Sequence, residues 1–323
     1  MKIFAGLLMM IMFIGCADDD APVFADTPET VRIFTSDIDL FWIAYDKAFK
    51  CDTQEERVRV FQRDYVNTGS TQLRWMFENK FCLYVPLSYF VERIASAQPY
   101  YNAVRETTQV VNSDQMRVEF LDVLFRLEEL YPEAVYPDMY FMIGNLSNGG
   151  TYNGYAVNFA IEAYLADEDT PLDGVAEDFI QFIQKTDYLP TLIAHEYVHV
   201  QQRYLPPDRD TLLAHSLIEG GANFIAELIC QRPDNPTLYA YGDAHEEELW
   251  KDFEKVMSGY DFSGWLYSSS DVRPINCGYY IGYKICEAYY AKAPDKRQAI
   301  SDMMNIKDGS AFLARSGYES KFL

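Results

Sequence analysis

Two neighbouring segments constrain this chain more than any others: "PTLIAHEYVHVQQRYLPP" at 190–207 and "DTLLAHSLIEGGANFIAEL" at 210–228. Each reads as a helix. Pro190 suits a first helical turn and Pro206-Pro207 stop the pattern. Asp210 stands where the second helix needs a cap. On the first segment Ile193, Tyr197, Val200 and Tyr204 recur as an apolar stripe, with Tyr188, Leu192, His195 and His199 on the neighbouring face. The chain has only four histidines, and two of them sit four apart. Residues i and i+4 lie one above the other on a helix, so both imidazoles can reach one ion. Glu196 projects to the side, toward a water on that ion rather than the ion itself. This is the spacing that zinc chemistry needs.

A third ligand has to come from elsewhere. On the second segment Leu213, Leu217, Phe224 and Leu228 form the core stripe, and His215, Glu219 and Asn223 share another face. Either His215 or Glu219 could close the site. Glu219 is favoured because Gly220-Gly221 follows it in mid-helix, where each glycine costs about 1 kcal/mol relative to alanine. That cost makes sense if the two helices must approach closely to grip one ion. Asn223, one turn on, would orient a ligand imidazole from behind. His215 is expected to be a pocket or packing residue.

The amino terminus carries a different signal. "MKIFAGLLMMIMFIGC" places Lys2 before an apolar run that ends at Gly15-Cys16. The run is short for a membrane span and fits a secretory signal peptide, residues 1–15. A small residue before cysteine resembles the lipobox of bacterial lipoproteins, with Phe13 in place of the usual leucine. Cys16 is then the lipid attachment site. Residues 16–30, "CADDDAPVFADTPET", read as an acidic tether that cannot bury enough apolar surface to fold. The Asp18-Asp19-Asp20 triplet resembles the acidic signal that sends some lipoproteins to the cell surface. The expected location is the bacterial cell envelope, lipid-anchored to the outer membrane. With no second long apolar run, membrane attachment is expected through Cys16 alone. The formal net charge of -22 excludes nucleic acid as a partner. The five remaining cysteines, an odd number, leave at least one thiol free.

Residues 31–135 read as a helical N-terminal lobe. Ser36 and Asp39 are placed for a capping box, and 114–130 alternates charge and apolar groups at helical period. "AVYPDMYFMIGN" and "YAVNFAIEAYL", separated by the turn formers "LSNGGTYNG", read as a hairpin or small sheet. Helices are expected again near 172–186, 190–204, 210–230, 244–257, 278–292 and 295–304. The fold class is therefore α+β: mainly helical, with one small β-sheet before the HExxH helix. Residues 136–323 form the second lobe.

His195-Glu196-x-x-His199 with a later Glu219 resembles a gluzincin metallopeptidase site. The strings "IAHEYVHVQQ", "SLIEGGANFIAEL" and "CGYYIGYKICEAYY" resemble a family of predicted zinc-dependent proteases, near the gliding-motility lipoproteins of the GldB type. Gluzincins often carry aspartate four residues after the glutamate ligand; here the residue is Asn223. The resemblance implies a zincin-like fold and hydrolysis of a peptide or protein substrate. It implies one Zn2+ on His195, His199 and Glu219, and Glu196 as general base. An oxyanion also needs a donor. Arg273, Tyr279, Tyr280 and Tyr283 are available, and Tyr279 is preferred because it follows Gly278 at a helix start. The strand around Ala156–Ala160 is expected at the sheet edge, pairing with extended substrate. The rival reading is a non-enzymatic lipoprotein of a surface assembly or gliding-motility apparatus that retains the fold. A third, a binding module for surface polymers, rests on aromatic content alone.

Overall fold

The structure, a computed structural model, describes residues 24–203, 210–268 and 272–322. The signal peptide, Cys16 and most of the acidic tether lie outside the described residues. The fold is α+β and mainly helical, with one mixed four-stranded sheet. The chain forms two compact units, one of Val23–Arg126 with Val135–Val200, the other containing Leu127–Ala134 and residues 201–323.

The first unit opens with strand β1 (Ile33–Phe34) and helices α1 (Ser36–Ala48), α2 (Gln54–Phe61), α3 (Thr71–Met76), α4 (Leu87–Ser96) and α5 (Gln98–Val104). Helix α6 (Asp114–Leu130) matches the bounds read from its periodicity. The core of this unit is aromatic: Phe41 meets Trp42, Phe61, Tyr65 and Tyr101 with ring centroids 4.9–5.9 Å apart. Helix α1 lacks the expected capping box, because Thr35 rather than Ser36 takes the N-cap position; Asp37 in the first turn accepts from the Ser70 amide and hydroxyl, at 2.9 and 2.6 Å.

Strands β2 (Asp138–Met142), β3 (Gly150–Tyr152) and β4 (Ala156–Ala160) complete the sheet in the order β1-β2-β4-β3. The two longer strands do not form a hairpin; β2 and β4 run parallel, and the antiparallel partner is the short β3. The sheet edge is therefore β3, and Ala156–Ala160 is interior and buried throughout, contrary to expectation. The turn between β3 and β4 is tight. Gly154, at φ 92°, supplies the positive φ of its first central residue, and the Asn153 side chain accepts from the Tyr155 and Ala156 amides.

The loop from β2 toward β3 is held by side chains rather than by a strand. The Tyr65 hydroxyl donates to the Ile143 carbonyl at 2.6 Å and the Tyr101 hydroxyl to that of Gly144 at 2.9 Å. Arg93 donates to the Asn145 and Leu146 carbonyls. Fully buried Glu162 accepts from the Gly144 and Leu146 amides at 2.7 and 2.9 Å. Burial pushes its carboxyl from 4.5 up to about 7 despite those donors. The folded state thus holds this proton more tightly than the unfolded chain. The stabilisation is full below about pH 4.5 and declines as pH rises toward 7, by on the order of 3 kcal/mol. The difference in unfolding free energy between wild type and Glu162→Ala should shrink by that order between pH 4.5 and 7. Chemical denaturation at four pH values in that window measures it. A constant difference would assign Glu162 a role independent of its charge.

The unit continues through α7 (Glu177–Ile180) to the HExxH helix α8 (Leu189–Gln201). The helix expected at 172–186 is only the short α7. The Gln184 amide is drawn to the Ala163 carbonyl and the Ala166 amide to that of Gln184, so the chain leaves the helical path.

The second unit contains α9 (Leu212–Cys230), α10 (Pro236–Ala244), α11 (Glu246–Phe253), α12 (Cys277–Lys292), α13 (Lys296–Met304) and α14 (Gly309–Ser316). The helix expected at 244–257 is α11, shorter at both ends, and α10, which precedes it across His245, had no counterpart in the sequence reading. Thr211, not Asp210, caps α9, accepting from the Ala214 amide at 3.2 Å. Helix α9 is long and apolar enough to cross a membrane, which the sequence reading did not count, but 78 % of that window is buried inside the protein. Helices α9 and α12 touch at backbone distance. A Cβ on Gly220 would lie 2.1 Å from the Tyr283 amide nitrogen, and one on Gly282 would lie 1.7 Å from the Ser216 carbonyl oxygen. Only hydrogen fits at either place. The glycine after Glu219 thus serves the contact with α12.

Several tyrosines donate to carboxylates in this unit. Tyr280 donates to Asp243 and Tyr283 to Glu227 at 2.9 Å, Tyr318 to Glu246 at 3.1 Å, and Tyr289 to Asp302. The described cysteines are all free thiols.

Candidate metal centre

Helix α8 is fixed by its buried face. Tyr197 is fully buried and its hydroxyl donates to the Pro137 carbonyl at the start of β2. That contact sets the rotation of the helix and turns His195 and His199 to the opposite side, half-buried. Their Nε2 atoms face each other at 2.9 Å with the rings perpendicular. Two nitrogens on one tetrahedral zinc stand about 3.3 Å apart, so the pair aims at one ion-sized volume.

Glu196 is 6 % exposed and packs under the edge strand. A Cβ on Gly150 would come within 2.5 Å of its Cγ and 2.7 Å of its Cδ and Oε1. Glycine at the start of β3 is what lets the strand lie against this carboxylate. The Gly149 carbonyl accepts from the Ala160 amide, and the Asn153 amide donates to the Ala156 carbonyl. Alternation then turns the main-chain groups of Gly150 and Tyr152 away from β4, toward the open edge. Among the described residues no strand pairs on that side.

Glu219 lies on α9, and its Oε1 accepts a hydrogen bond from the Tyr267 hydroxyl at 2.9 Å. His195, His199 and Glu219 each offer a ligand atom, and the three atoms lie within 4.8 Å of one another. Two imidazoles and one carboxylate, with a coordination position to spare, are the donor set of a catalytic zinc site, so these residues fit the ion. His215 is not one of this group. It is buried, its ring packs 4.5 Å from Phe262, and burial pushes its pKa down.

Asn223 is 1 % exposed, near the buried Tyr239. Tyr279 is half-buried in the first turn of α12, its ring 6.2 Å from Tyr267 and perpendicular to it. Two site residues escaped the sequence reading. Gly150 was hidden in a run of turn formers, and Tyr267 sits in "GWLYSSS", which carries no periodicity.

The donor set, with a carboxylate beside it, fits a zinc peptidase. Residues 172–311, under half the chain, match the family described as "Predicted Zn-dependent protease (DUF2268)". That span holds the two histidines, Glu196 and Glu219. No curated protein and no solved structure matches the chain.

Proposed function

We propose that this protein is a lipid-anchored zinc metallopeptidase of the bacterial cell envelope. The observation that carries the reading is the convergence of His195, His199 and Glu219 with Glu196 beside them. A zinc ion on those three residues would supply Lewis acidity to the scissile carbonyl and lower the pKa of a nearby water to about 7. Glu196 would take that water's proton and pass it to the leaving amine nitrogen. Its burial beneath β3 keeps the carboxylate from swinging to solvent. The outward amides and carbonyls of Gly150 and Tyr152 would pair with an extended peptide and lay its backbone along the site. Tyr279 would donate to the developing oxyanion.

The test is cleavage of a proteome-derived peptide mixture by the purified protein, before and after zinc is stripped and restored. Zinc-dependent cleavage products are expected. Their absence, with zinc bound in the wild type, would favour the rival: a non-enzymatic lipoprotein akin to the GldB-type gliding-motility proteins. The anchor is tested separately. Cys16→Ser should release the protein from the membrane fraction; retention through a high-salt wash would place the anchor elsewhere.

A further inference from the structure

We infer that Tyr267 is the positioning residue for Glu219, holding that carboxylate in the rotamer that presents its other oxygen to the metal. The inference rests on the zinc reading of the site. Tyr267 lies in the segment between α11 and α12 and reaches Glu219 Oε1 at 2.9 Å. A core tyrosine can satisfy its hydroxyl with any nearby carbonyl, at no backbone cost. This one is presented from a strained backbone. Its φ is 58°, a left-handed conformation that costs a non-glycine residue on the order of 1 kcal/mol or more.

The surroundings hold that conformation in place. The Tyr267 amide donates to Asn276 Oδ1 at 2.8 Å, and Asn276 is itself left-handed, at φ 66°. The Gly278 amide donates to the Trp265 carbonyl at 2.9 Å, and the Arg273 guanidinium lies over the Trp265 ring at 4.0 Å. The Tyr279 ring abuts Tyr267 edge-on and limits its swing. Two left-handed residues are thus held together to aim one hydroxyl at one carboxylate oxygen. An outer partner of this kind fixes ligand orientation, and its loss typically weakens metal binding about 10- to 100-fold.

The test compares zinc affinity, by competition with a chromophoric chelator, among wild type, Tyr267→Phe, Asn276→Ala and Tyr318→Phe. The last removes a tyrosine–carboxylate bond of the same kind, to Glu246. Tyr267→Phe should bind zinc about 10- to 100-fold more weakly. Asn276→Ala should move the same way, and Tyr318→Phe should match wild type. Loading with Co2+ adds a readout that general softening would not move: the visible absorption of Tyr267→Phe should shift with the changed carboxylate geometry. The apo thermal midpoint of Tyr267→Phe should stay near that of wild type. Wild-type affinity and an unshifted cobalt spectrum in Tyr267→Phe would overturn the inference, as would an equal loss in Tyr318→Phe. A wild type that binds no zinc would instead sink the metal reading itself, and that result is visible before any variant is made.

Discussion

Glu196→Gln should give a folded protein that binds zinc as wild type does and has lost nearly all peptidase activity. The side chain is 6 % exposed and wedged against Gly150, so a replacement must keep its shape. Glutamine does. It removes only the capacity to accept a proton from water, a loss worth on the order of 100- to 10,000-fold in rate. Zinc content, circular dichroism and cleavage of the peptide mixture together separate the possibilities. Full activity in the variant would show that Glu196 is not the base. Lost zinc would show that it is a ligand, and that the side-on placement was misread.

Glu219→Ala should lose most of the metal. Removing a direct ligand costs more than removing its outer partner, so zinc affinity should fall beyond about 100-fold. His215→Ala is the matched control. It lies one turn earlier on α9, but its ring packs on Phe262, so its loss should cost stability rather than zinc. Metal analysis after dialysis against a weak chelator reads both. A His215→Ala protein that loses zinc while Glu219→Ala keeps it would move the third ligand and undo the gluzincin reading.

Much of the site was legible because helices write their faces into sequence. The four-residue step of His195 and His199, the prolines at the helix ends and the core stripe of α9 are local signals, and α8, α9 and α12 stand close to where those signals place them. The sheet was harder to read. Its edge strand β3 has three residues, too few for alternation, and β4 is buried on both faces, so "AVNFA" shows no alternation either. Parallel pairing of β2 with β4 is decided by contacts distant in sequence. The same holds for Gly220: its neighbour in sequence is a ligand candidate, yet its reason lies in α12, some sixty residues on. Tyr267 is legible only through the backbone strain that presents it.

The tyrosine–carboxylate pairs of the second unit bear on the salinity this protein can tolerate. Asp243 and Glu246 also meet Lys284 and Lys321, and counterions weaken such charge pairs as salt rises. A phenol brings no net charge. Its bond to the carboxylate is short-ranged and largely indifferent to ionic strength, and the chain keeps its charge of -22. Burial also drives the phenols of Tyr280, Tyr283 and Tyr318 well above their ordinary pKa, so these bonds outlast mild alkali. The phenol bonds hold whether the water outside is fresh or briny, while the lysine pairs beside them are screened.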